Sequence, residues 1–122
     1  MAYIDGFVVP VLPGQRDAYV TMARNAADIF REHGATRVVE CLSDDVPHGK
    51  VTDFYRAVAA EEGETIAFSW IVWPSREARD AGMAKVMADD RMNPKDAMPF
   101  DMKRLIFGGF VVALDTDEGE AR

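Results

Sequence analysis

The segment Thr65–Trp73 (TIAFSWIVW) is apolar on both of its faces, and nothing else in the chain constrains the fold so strongly. In an extended strand, successive side chains point to opposite sides. Ile66, Phe68, Trp70 and Val72 therefore lie on one side, and Ala67, Ile71 and Trp73 on the other. The same pattern holds in Tyr3–Val11 (YIDGFVVPV), where Tyr3, Phe7 and Val9 oppose Ile4 and Val8. It recurs in Arg104–Leu114 (RLIFGGFVVAL), where Leu105, Phe107 and Val111 oppose Ile106, Phe110, Val112 and Leu114. A sheet built of such strands needs an apolar cover on each side.

One cover is supplied by helices. Between Gln15 and His33 the positions Tyr19, Met22, Ala23, Ala26, Ile29 and Phe30 recur at three- and four-residue spacing, one stripe of an amphipathic helix that Gly34 ends. Pro74-Ser75 opens a second long helix, Arg76 to about Asp89, with Ser75 as its N-cap and Ala78, Gly82 and Val86 in one row. Thr36–Leu42 reads as a strand and Ser43–Lys50 as turn chemistry. Thr52 or Asp53 caps a short helix over Phe54–Glu62, which Gly63 ends. Asp90–Asp101, with Pro94 and Pro99, reads as a loop. Residues 1–115 then form one domain, and 116–122 a flexible polar tail.

The order is strand, helix, strand, short helix, strand, helix, strand. It predicts an α+β chain of the ferredoxin-like, split βαβ kind. Its four-stranded antiparallel sheet takes strands near 3–11, 36–43, 65–73 and 104–114, with two main helices on one face. The other face has no cover in this chain. A second copy packed sheet to sheet is the economical one, so a homodimer is expected, with Phe7 and Phe107 as candidates for the meeting face.

Charge and cysteine content remove several classes. Lys and Arg number 14 against 21 Asp and Glu, a net charge of −7, and there is no basic run, so nucleic acid is not an expected partner. The single cysteine, Cys41, excludes an internal disulfide and any multi-cysteine metal site, and mid-strand it reads as a buried, inert thiol. His33 and His48 do not have metal-ligand spacing, and Asp44-Asp45 reads as a turn, so neither metal nor cofactor is expected. Met1–Pro13 has no positive n-region and is interrupted by Asp5 and Pro10. No apolar run approaches the roughly 20 residues that span a bilayer, so the expectation is a cytoplasmic protein without a membrane partner.

Five blocks of the sequence resemble the bacterial domain-of-unknown-function family 1428. They are YIDGFVVPV (Tyr3–Val11), GATRVVECLSDDVPHGKVTDFYRAV (Gly34–Val58), FSWIVWPSREARDA (Phe68–Ala81), KVMADDRM (Lys85–Met92) and MPFDMKRLIFGGF (Met98–Phe110). The resemblance implies the dimeric α/β barrel superfamily, and with it the same fold and the same dimer. Relatives at that level include cofactor-independent monooxygenases, haem-degrading enzymes and muconolactone-isomerase-like proteins. The family has no established catalytic residues to carry over.

Read from the residues themselves, Glu40 and Asp5 are the notable carboxylates, because each sits within an apolar strand. A carboxyl on a covered face must be paired or neutralised, which suits proton transfer; the structural alternative is that each points to a sheet edge or pairs with an arginine such as Arg37 or Arg104. His33, at a helix end, is the third candidate for acid–base chemistry. Arg56 or Arg104 would anchor an anion. Tyr3, Phe7, Trp70, Trp73, Met98 and Phe100 would line an apolar cavity between sheet and helices, with Met92, Met98 and Met102 as a plastic rim. Gly108-Gly109 marks a bulge or the close approach of another group. Three functional expectations follow. They are small-molecule binding in an apolar pocket, a cofactor-independent monooxygenase- or isomerase-like enzyme, and a non-catalytic stress-associated or interaction protein. Whether the chain is an enzyme is left open.

Overall fold

The computed structural model describes residues 2–93, 97–117 and 119–120. Its elements run β1 (Tyr3–Val11), α1 (Arg16–Glu32), β2 (Arg37–Leu42), α2 (Phe54–Ala57), β3 (Thr65–Trp73), α3 (Arg76–Ala88), β4 (Ile106–Val111), β5 (Leu114–Asp115) and β6 (Gly119–Glu120). A single 3-10 turn, Asp90–Met92, follows α3. The four long strands form one antiparallel sheet in the order β2-β3-β1-β4, so the two most apolar strands are central. Mixed α+β character and the four-stranded antiparallel sheet agree with the sequence pattern. Among the described residues, no helix is long and apolar enough to cross a membrane.

Register fixes which side chains share a face. Tyr3, Asp5, Phe7 and Val9 of β1 align with Trp73, Ile71, Ser69 and Ala67 of β3, and these point toward the helices. Val9, Val11, Tyr19, Ala23 and Ala67 form one buried cluster, and Ala35, Ile71 and Trp73 a second. The helices dock as their stripes require, with Tyr19, Ala23 and Ile29 buried on α1 and Gly82 and Val86 buried on α3. Gly34, at φ +112°, turns the chain out of α1 in the left-handed conformation that glycine tolerates. On α3 the Ser75 hydroxyl accepts a hydrogen bond from the Ala78 amide at 3.0 Å, the expected N-cap.

Three expectations are revised. The short helix closes after Ala57 and does not reach Glu62, because the Ala60 amide donates to the Tyr55 carbonyl and Ala59 takes a positive φ of 48°. The last long strand is 106–111 and not 104–114, because Arg104 is drawn away into ion pairs with Glu64 and Asp101. Beyond it, Leu114–Asp115 pairs with Gly119–Glu120 inside the expected tail; residues 118, 121 and 122 of that tail lie outside the described residues, as do Pro94 and its neighbours at 95–96. Cys41 is exposed, because β2 is an edge strand and its open face has no helix above it.

Candidate functional site

The face of the sheet away from the helices is bare and apolar. Ile4, Gly6 and Val8 of β1 align there with Val72, Trp70 and Phe68 of β3 and with Phe110, Gly108 and Ile106 of β4. Phe68, Ile106 and Phe110 are exposed. These residues and Leu114 line a hollow of about 560 Å³, and no charged residue contributes to its wall. Aromatic rings ladder along one side, Phe54 against Phe68 at 5.9 Å and Phe68 against Trp70 at 5.7 Å between centroids. The register through Gly6↔Gly108 and Asp5↔Gly109 is unbroken, so the paired glycines of β4 mark close approach and not a bulge. At Gly6 and Gly108 the neighbour is the ring of Phe110, which a Cβ would touch at 3.6 and 3.5 Å.

On the helix side the notable polar group is Asp5, 6% exposed in the middle of β1. Its Oδ2 accepts from the Trp73 indole N–H at 2.9 Å, and its Oδ1 lies 3.4 Å from Nε of Arg79 on α3. Burial pushes the Asp5 carboxyl above its ordinary range, and the Arg79 charge and the Trp73 hydrogen bond offset part of that rise. Arg79 donates through Nη2 to the Tyr3 hydroxyl at 2.9 Å, sits over the Tyr3 ring at 4.8 Å and pairs with Asp80 at 3.2 Å. The sequence offered Arg37 or Arg104 as the partner of this carboxylate, and the fold supplies Arg79.

Glu40 lies elsewhere, on edge strand β2, where its Oε1 accepts from the Tyr19 hydroxyl at 2.7 Å. Much of the side chain is open to solvent, yet its carboxyl end rests against Tyr19, which is itself buried. Burial raises the Glu40 carboxyl above 4.5, and the same setting, with the carboxylate beside it, raises the Tyr19 phenol well above 10. A carboxyl whose folded pKa is raised adds stability below its unfolded value, and that contribution is lost as pH rises through the folded value. Glu40→Gln keeps an acceptor for Tyr19 and removes the charge. Its stability relative to wild type should therefore be lowest near pH 4 and climb toward pH 7, by less than about 1 kcal/mol given solvent screening. Urea midpoints measured across that range give the slope, and a flat difference would mean the carboxyl is not desolvated.

His33 is apart from both. Its Nε2 lies 3.1 Å from Asp89 Oδ2, and Glu32, His33 and Asp89 offer ligand atoms within 4.8 Å of one another. The guanidinium of Arg91 already binds both carboxylates, and with His33 it holds Asp89 far below the usual carboxylate range. This is an ion-pair network tying the end of α3 to the end of α1. Asp5, Glu40 and His33 thus have three separate sets of partners and do not converge.

The expected ligand-binding residues scatter likewise. Trp70 lines the open-face hollow, and Phe7 borders it while its ring packs into the helix-side core. Trp73 is fully buried and contacts no hollow, since Gly82 brings α3 down onto its ring. Phe100 meets Tyr19 edge to face at 5.9 Å and Val11 through a β-bridge, so it closes the core beside half-buried Met98. Tyr3 is held by Arg79. Arg104 is saturated by Glu64, Asp101 and the Ala59 carbonyl, and Arg56 sits 3.7 Å from Asp53; neither is placed as an anion anchor. The helix side is packed where a cavity was expected, and the hollow lies on the opposite face.

Comparison with known proteins agrees with the resemblance. A family described as "Protein of unknown function (DUF1428)" matches residues 2–102. Two relatives, each named "Uncharacterized protein YbaA", come from Escherichia coli (strain K12) and Shigella flexneri. Each is 55% identical to the chain over 116 residues, which covers 94% of this chain and 99% of the relative.

Proposed function

The chain belongs to this family of proteins of unknown function, and on that premise we propose that it is a homodimeric small-molecule-binding protein whose two sheets meet face to face around an apolar chamber. The observation that carries the reading is the bare sheet face with its uncharged hollow of about 560 Å³. That volume falls within the roughly 300–1,000 Å³ of ordinary small-molecule pockets. The element order and the β2-β3-β1-β4 sheet support a ferredoxin-like reading, and pairing two such sheets would give a dimeric α/β barrel. Exposed Phe68, Ile106, Phe110 and Leu114 need a cover, and a face of this kind buries on the order of 800 Å² per partner in a specific dimer.

Light scattering on the intact chain should give twice the 13.5 kDa chain mass at micromolar concentration. Trp70→Glu combined with Phe110→Glu should halve it, because two charges would then face an uncharged wall. Phe7 and Phe107, which register puts on the helix side, are the poorer probes. A wild-type particle of 13.5 kDa that persists on concentration removes the dimer whatever the variant does. For the chamber, a screen of small apolar compounds should raise the melting temperature by mass action. No rise with any compound at millimolar concentration would leave a dry dimer and sink the binding role.

A further inference from the structure

We propose that the loop at 43–53, between β2 and α2, is a docking arm: Lys50-Val51 of each copy seats on Leu114-Asp115 of the other and closes the end of its hollow. This rests on the face-to-face pairing proposed above and adds the direction of its two-fold axis. Val51 is 90% exposed, the barest large apolar side chain among the described residues. The loop that carries it is braced from within. The Asp53 carboxylate accepts from the Gly49 and Arg56 amides at 3.1 and 2.8 Å, and the Tyr55 hydroxyl donates to the Val46 carbonyl at 2.7 Å. A Cβ at Gly49 would overlap the Thr52 carbonyl oxygen, so the turn that presents Lys50 and Val51 demands glycine.

Topology sets where that tip lands. β2 and β4 are the two edges of the sheet. β2 ends beside Ala67, toward the end of β1 at Val11, whereas β4 ends beside Tyr3, at the start of β1. The loop after β2 and the segment after β4 therefore leave from diagonally opposite corners. Both rise on the bare face, since Phe54 next to the loop stacks on Phe68, and Leu114, 63% exposed, lines the hollow. A two-fold axis between two such faces has three principal settings. Along the strands, it carries the loop over the start of the partner's β4, which exposed Lys103 precedes. Across the strands, it carries the loop over the start of the partner's β2, at exposed Arg37. Each of these sets Lys50 against a like charge. The diagonal axis instead joins Val51 to the partner's Leu114 and Lys50 to the partner's Asp115, and symmetry makes the contact twice.

The test combines Cys41→Ser, which removes the native thiol, with Val51→Cys and Leu114→Cys. Within one chain the two positions are separated by the width of the sheet, roughly 14 Å at about 4.8 Å per strand, and a disulfide tolerates about 7 Å between Cα atoms. Mild oxidation should therefore link two chains, and peptide mapping should join position 51 to position 114. Val51→Cys alone, on the same Cys41→Ser background, should stay unlinked, because the diagonal axis keeps position 51 away from its own copy. Lys50→Glu should raise the dimer dissociation constant about tenfold, one modest ion pair counted twice, and adding Asp115→Lys should restore it. A dimer by light scattering that links 51 to 51, or fails to link 51 to 114, overturns the docking arm and leaves the face-to-face pairing standing. A Lys50→Glu, Asp115→Lys dimer as weak as Lys50→Glu alone does the same. A wild-type particle of one chain mass removes both.

Discussion

Trp73→Ala should remove about 5 kcal/mol of stability and leave the protein largely unfolded at moderate temperature. Trp73 is fully buried, between β1 and α3, and meets Phe30 edge to face at 6.4 Å. Truncating a buried aromatic costs roughly 3–5 kcal/mol through lost transfer energy and the cavity left behind. The indole N–H is also a hydrogen-bond donor to the buried Asp5 carboxyl, and losing it adds about 1–3 kcal/mol. Against the usual total of about 5–15 kcal/mol for a domain, that sum is decisive. Trp73→Phe separates the two contributions, since it keeps most of the ring packing and deletes the donor; it should cost about 2 kcal/mol. Urea unfolding at neutral pH measures both. An alanine variant less than about 2 kcal/mol below wild type would show that the indole is not the keystone of the helix-side core.

What could be read from the sequence follows from how local each signal is. The strands at 3–11 and 65–73 were legible because alternation is written in consecutive residues, and the N-cap at Ser75 because its partner amide is three residues on. The start of β4 was not legible, since it depends on Glu64, forty residues before Arg104, drawing that guanidinium away. The end of α2 is hidden for another reason: Ala59 occupies a left-handed position where glycine is the usual marker, and the first glycine after the helix is Gly63. The partner of Asp5 lay within reach of sequence reasoning. A carboxylate inside an apolar strand needs a cation from the facing helix, and Arg79 is three residues before Gly82, hence next to the packing row of Ala78, Gly82 and Val86. The position of the hollow was out of reach, because it depends on how far two helices extend across a four-stranded sheet.

Gly82→Ala is the second large effect, and here helix propensity and packing pull in opposite directions. In a helix interior, replacing glycine by alanine gains about 1 kcal/mol, and by that rule alone the variant would be more stable. Gly82 is buried where α3 crosses the Trp73 ring and the end of α1, however. A Cβ there would overlap the His33 carbonyl oxygen and Cζ3 of the indole and lie 2.9 Å from Cη2. A backbone carbonyl at a helix end cannot rotate away as a flexible side chain would, so α3 itself must lift. Overpacking of this kind costs about 1–3 kcal/mol and more where backbone has to move, so the clash outweighs the propensity gain. The expected net loss is about 2–3 kcal/mol, read as a fall in melting temperature on the order of 10 °C. The double variant Gly82→Ala, Trp73→Phe tests the cause. The smaller ring frees the indole side of the overlap and leaves the carbonyl side, so the two losses should fall short of adding by about 1 kcal/mol. Simple additivity would place the clash entirely on the His33 carbonyl. A Gly82→Ala protein more stable than wild type would show that α3 does not rest on Trp73 at all.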